Sequence, residues 1–354
     1  MSLGMGGNVI VENGYEKKRS PVVITMWFLI LVAGLLIVFL FNVGVGSADI
    51  TVGQILEVLF GKADPSDKIY LIIWRIRLPR AMASLAGGAA LAISGLLLQT
   101  YFSNPIVEPY VLGISSGSSL FVGLVMLGGI TFGFRRITPV FLFIGAFLGA
   151  MAVMLIILLA ATRVKNIVTL LIIGLMAGYL CSAVTSILSA YAEREQIAGF
   201  TMWNMGSFSG FTWLHIKIMY IIICPMLLLA FLLAKPLNAL NMGDKYARSM
   251  GIPVKGTRYA LIFLSSVLVA SVTAFAGPVS FIGLAVPHIC RILFHTADSR
   301  LLIPSSILGG ALMASLCDFV ARNIVSPVEL PLGAITAIIG APIVVFLLAR
   351  KESL

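Results

Sequence analysis

About ten times along this chain the charged residues give way to an apolar stretch as long as a bilayer is thick. A hydrocarbon core of about 30 Å takes about 20 apolar helical residues to cross. The stretches lie near 22–46, 81–102, 113–130, 138–161, 168–190, 213–234, 259–276, 279–294, 302–320 and 331–349. Charged residues supply only 11% of the chain, so polar joints are short and no separate soluble domain fits between spans. A chain inside a bilayer satisfies its backbone only as helices or as a closed barrel. Runs this continuous lack the alternation of a barrel strand. The expected fold is all-α and polytopic, with a tail over 1–21, a transmembrane body over 22–349 and a short end over 350–354.

Two features refine the topology. Tyr259–Cys290 carries no Asp, Glu, Lys or Arg and is too long for one crossing, and Gly277-Pro278 in its middle supplies the break. An even number of spans puts both termini on one side. Lys17-Lys18-Arg19 before the first span and Arg350-Lys351 after the last make that side cytoplasmic. The first apolar run follows a polar tail and precedes no small-residue cleavage site, so it reads as an anchor helix. Segment 47–70 reads as a short interfacial helix on the outside.

Several function classes lack their residues. Ion-coupled carriers and channels bury ionisable groups at mid-span. Here the acidic residues read as loop or span-end residues, Asp318 being the deepest, and His288 stands alone in the apolar run. The phosphate-cradling loop of nucleotide hydrolases ends in Gly-Lys-Ser/Thr, whereas Gly61-Lys62-Ala63 lacks the hydroxyl. Cys181, Cys224, Cys290 and Cys317 sit in spans without CxxC spacing and read as small apolar residues rather than metal ligands. The formal charge of +10 has no basic stripe with interleaved aromatics, so nucleic acid is not an expected partner. The chain reads as a non-enzymatic transport protein whose energy, if transport is active, comes from another subunit.

The spans are rich in small residues at four-residue spacing: Gly88 with Ala92, Ala90 with Ser94, Gly310 with Ala314, Ala311 with Ser315. Such faces let helices approach closely, or line a pathway. Met202, Trp203, Met205 and Phe208 are open to the same two readings, packing or contact with a large ligand.

Six segments in register carry a resemblance. Arg77-Leu78-Pro79-Arg80 leads into Gly87-Gly88-Ala89-Ala90-Leu91-Ala92-Ile93-Ser94-Gly95 and Gln99. Asn104-Pro105, Glu108-Pro109 and Leu112-Gly113-Ile114-Ser115-Ser116-Gly117 follow, then Trp203-Asn204-Met205-Gly206-Ser207-Phe208-Ser209-Gly210. Gly277-Pro278-Val279-Ser280-Phe281-Ile282-Gly283-Leu284-Ala285-Val286-Pro287-His288 comes next. The last parts are Asp318-Phe319-Val320-Ala321-Arg322, Glu329-Leu330-Pro331-Leu332-Gly333 and Gly340-Ala341-Pro342. Together they resemble the permease subunits of binding-protein-dependent ABC importers for iron–siderophores, haem and vitamin B12.

The resemblance implies ten spans, an inverted structural repeat, and a dimer of permeases, most simply a homodimer. It also implies two cytoplasmic ATPase subunits holding the ATP and Mg, so that this chain binds no cofactor itself, and an extracytoplasmic binding protein that delivers the chelate. Arg77, Arg80 and Arg322 match arginines that dock the binding protein's glutamates, a task suited to the planar guanidinium. Headgroup contact, or pairing with Asp318 and Glu329, is the other reading of these arginines. Gly243, Ala247, Arg248 and Gly251 match the loop that couples to the ATPase, where Gly251 and Pro253 would stop a short helix. Asn166, Ile167 and Val168 match the position of the cytoplasmic gate, although the small hydroxyl residues of relatives are missing, and ordinary packing at a span start reads nearly as well. The expected cargo is a ferric siderophore or haem, with a corrinoid as the alternative. A secondary carrier is the competing class.

Overall fold

The computed structural model describes residues 19–46, 50–128, 139–164, 166–325 and 328–352, which form helices and connecting turns with no strand among them. Most of the tail expected over 1–21, the end of the 113–130 span and the last two residues lie outside the described residues. Helix α1 (Pro21–Gly44) crosses first, and α2 (Val52–Leu59) is a short amphipathic element. Thr51 and Gln54 close a capping box at the start of α2. Helix α3 (Lys68–Phe102) is continuous but passes through a π-helical stretch at Ile72–Arg77. Then come α4 (Ile114–Met126), α5 (Pro139–Arg163), α6 (Ile167–Tyr191), α7 (Arg194–Asn204) and α8 (Trp213–Leu232). Two short helices, α9 (Ala234–Asn241) and α10 (Asp244–Ser249), precede α11 (Val254–Ala276), α12 (Ile282–Phe294), α13 (Ser299–Asn323) and α14 (Leu332–Glu352).

Each of the ten expected spans has its helix, and α11 ends at Gly277 as the Gly-Pro break implies. Among the described residues, seven helices are long and apolar enough to cross a membrane; Ile114–Met126, Ile282–Phe294 and Leu332–Val345 are shorter apolar helices. Over the described residues, the helices within 113–130 and 279–294 are thus shorter than the spans expected there. Helices α4 and α12 are half-length, because the chain before each dips back into the bundle before turning helical. Gly113, at the start of α4, abuts Gly174 and Gly178 well inside α6. Phe281, at the start of α12, abuts Gly340 within α14.

Helices α3 and α11 are the most buried of the long spans, and α3 packs against α11, α12 and α13. The small residues make these approaches possible. A side chain at Gly88 would overlap the Gly310 carbonyl and the Ala314 methyl, and one at Gly310 would overlap Gly88 and Ala92. The four-residue stripes of the two helices thus pack on each other, as expected of close helix crossings. Two serine pairs link helices inside the bundle: Ser84 with Ser315 at 3.0 Å, and Ser94 with Ser265 at 2.6 Å.

Candidate functional site

The outer arginines gather around the end of α1. The last carbonyls of a helix have no intrahelical donor. Arg77 Nη1 donates to Val43 O at 2.9 Å and Gly44 O at 2.6 Å, while Arg322 Nη2 donates to Asn42 O and Val45 O, each at 3.0 Å. Two guanidinium groups therefore cap the C-terminus of α1, where the helix dipole favours a cation. Arg80 lies one turn below Arg77 on α3. Its Nε and Nη2 grip the Asp318 carboxylate at 2.9–3.1 Å, and its Nη1 reaches Glu329 Oε1 at 2.5 Å.

These contacts turn Arg77 and Arg80 into the protein. Arg77 is 5% exposed and Arg80 6% exposed, and Arg322 is partly buried. Of the two readings drawn from the sequence, internal pairing with Asp318 and Glu329 is what Arg80 adopts. Arg75, from the same stretch, is exposed. The π-helical turn at Ile72–Arg77 widens the helix locally and helps set which arginines turn inward. Three cations against two carboxylates still leave this rim positive.

On the opposite, inner side, α9 and α10 form the joint between α8 and α11. Gly243 precedes α10 with φ 104° and Gly251 follows it with φ 77°. Gly251 donates to Arg248 O and Ile252 to Ala247 O, the two bonds of a Schellman stop. Ala247 is fully buried, whereas Arg248, Met242, Tyr246 and Met250 are exposed. The four residues singled out from sequence thus divide into two hinges, one packing contact and one projecting charge. Asn238 on α9 is fixed to the start of α13, donating to Asp298 Oδ1 at 2.6 Å and accepting from Ser299 N at 2.7 Å.

Asn166 caps α6, its side chain accepting from Val168 N at 2.8 Å. Ile167 packs partly against the core, and Val168 is 62% exposed. The three share one helix start and are remote in sequence from both other clusters. Phe208 is fully buried beside Gly87 and Met219, so it belongs to the packing. Met202 and Met205 are exposed.

Sequence reasoning missed Glu108 as a buried group. It sits in the dip before α4, 8% exposed, and accepts from Phe281 N at 3.0 Å. An acid inside an otherwise uncharged turn, Asn104 to Gly113, was the available signal. Gln99 was also placed only by motif. Its amide donates to the carbonyls of Gly283 and Leu284 and accepts from Arg291 Nη1 at 2.7 Å. Among the described residues no group of three or more His, Cys, Asp or Glu is placed to hold a metal.

A family model described as the FecCD transport family matches residues 34–350. The hemin transport system permease protein HmuU of Yersinia pestis is 33% identical over 324 residues, which is 91% of this chain and 96% of that protein. The vitamin B12 import system permease protein BtuC of Klebsiella pneumoniae is 36% identical over 339 residues, 95% of this chain and 96% of that one. A solved structure, described as an inward-facing metal-chelate type ABC transporter, matches with a TM-score of 0.81 at 30% identity. That match covers 92% of this chain and 99% of the other.

Proposed function

Because the chain belongs to the FecCD transport family, we propose that it is the permease subunit of an ATP-driven importer for a large metal chelate, a ferric siderophore or haem. It is a multi-pass protein of the cytoplasmic membrane. The observation that carries the coupled reading is α10, a short helix hung between Gly243 and Gly251 that projects Arg248 and apolar side chains from the inner face. A cytoplasmic ATPase subunit takes this helix into a surface groove. Closure of the ATPase pair then moves the helix and rocks the bundle between its two states.

Two permease copies, most simply identical, enclose the path, and two ATPase subunits hold the ATP and Mg that this chain does not bind. The extracytoplasmic binding protein docks over Arg77, Arg80 and Arg322. With Arg77 and Arg80 buried, their part is to supply positive field that steers acidic lobes to the rim, while Arg322 lies nearer the surface. Apolar Ile167 and Val168, at the inner end of α6, close the path by excluding water, with Asn166 holding the helix start.

A corrinoid cargo is the second reading, favoured by the 36% identity to the vitamin B12 permease. A tagged chain purified from its native membrane in mild detergent tests the assembly. A stoichiometric ATPase should copurify with the wild type and be lost from Arg248→Glu. Recovery of the chain without any ATPase would overturn the coupled reading and return the case to a secondary carrier.

A further inference from the structure

We propose that Arg258 is a positioning residue for energy coupling, joining α10 to the inner end of α3 so that movement of one is delivered to the other. This rests on the reading of α10 as the ATPase-contacting helix. Helix α10 has few holds on the body. A Cβ at Gly243 or Gly251 would meet nothing within 4 Å, so neither hinge is packed. What remains is the buried Ala247 methyl and the Asp244 carboxylate, which pairs with Arg258 Nη2 at 2.8 Å.

Arg258 does not stop at that pair. Its other terminal nitrogen, Nη1, donates to Tyr101 O at 2.9 Å, and its guanidinium lies 5.2 Å from the centre of the Tyr101 ring. Tyr101 is the penultimate residue of α3, and residue 105 is proline, so this carbonyl has no helical donor. A cation here also meets the negative end of the α3 dipole. One planar group thus bridges α10, α11 and α3, with its side chain only 18% exposed. A lysine ammonium is a single point and cannot hold two acceptors in the same fixed fork.

The connection matters because α3 is the most buried of the long spans and touches five other long or half-length helices: α1, α8, α11, α12 and α13. Displacement of α10 would otherwise be absorbed by the two glycine hinges. With Arg258 in place it is carried to the centre of the bundle.

The test uses the whole complex in proteoliposomes, with binding protein added and hemin, ferrichrome and cyanocobalamin offered in parallel. Uptake is divided by ATP hydrolysed. Arg258→Met removes both charged hydrogen bonds and should lower uptake per ATP at least about tenfold while the ATPase rate stays within about twofold. Arg258→Lys should fall between. The exchange Asp244→Arg with Arg258→Asp restores an ion pair but aims a carboxylate at the Tyr101 carbonyl, so uptake per ATP should stay as low as in Arg258→Met.

Full recovery in the exchange variant would overturn the bridge and leave a local pair, and so would unchanged uptake per ATP in Arg258→Met. If Arg258→Met does not assemble, a wild-type ratio in Arg258→Lys overturns it equally. Wild-type complex that shows no ATP-driven uptake would instead sink the underlying function.

Discussion

The Glu108 carboxylate accepts a hydrogen bond from the Phe281 backbone N–H at 3.0 Å, across 173 residues of sequence. It joins the turn before α4 to the start of α12 and supplies an acceptor there. Phe281 holds φ 67°, a left-handed conformation that a bulky residue adopts only when its surroundings demand it. The carboxylate also lies at the positive end of α12.

Glu108→Ala should therefore leave a buried N–H without an acceptor and cost about 1–3 kcal/mol. Glu108→Gln keeps an acceptor oxygen and should cost clearly less. Thermal melting of the two variants in detergent checks the order. Equal melting of both with the wild type would remove the bond from the list of things that hold the dips together.

Arg80 and Glu329 separate a buried charge from an edge charge. Arg80→Ala strands Asp318, which is 1% exposed, and should cost about 3–5 kcal/mol. The Glu329 side chain is 39% exposed, so Glu329→Ala should cost no more than about 1 kcal/mol. Removing Asp318 together with Arg80 should recover most of the loss. Additive losses in the double variant would contradict the pairing.

The crossing of α3 and α13 has no space at its closest point. Gly88→Val forces a side chain into the Gly310 carbonyl and should destabilise by roughly 1–3 kcal/mol or more. Gly256→Ala, in the first turn of α11 with nothing within 4 Å of its Cβ position, should be neutral or stabilise by up to about 1 kcal/mol. Expression level and melting temperature in parallel report the contrast. A tolerated valine at Gly88 would mean the two helices are not in contact there.

The spans were readable because the bilayer demands continuity of apolar residues, a one-dimensional property of sequence. Gly277-Pro278 and the Gly88–Ala92 and Gly310–Ala314 stripes were readable for the same reason, since each acts through local backbone or spacing. The turns that start α4 and α12 were not, because Gly113 (φ 74°) and Phe281 (φ 67°) are held by contacts with α6 and α14 that are distant in sequence. The arginines were located, and pairing of Arg80 with Asp318 and Glu329 was one of the two readings left open. The choice is set by contacts that spacing does not reveal: Arg77 caps the end of α1, and Arg80 reaches carboxylates more than 230 residues away. Asn166 was readable as a span start, and its cap is what the structure displays. Arg258 was hidden because its partners, Asp244 and Tyr101, meet only when α3 and α11 pack.

The most direct measurement is uptake by a strain deleted for this gene, given ferric siderophore, haem and cobalamin in parallel, then complemented. Loss of iron-chelate uptake is expected, restored by the wild-type gene and not by Arg248→Glu, although that variant reaches the membrane. Loss confined to cobalamin would keep the importer and replace its cargo. Restoration by Arg248→Glu to wild-type level would contradict coupling through α10.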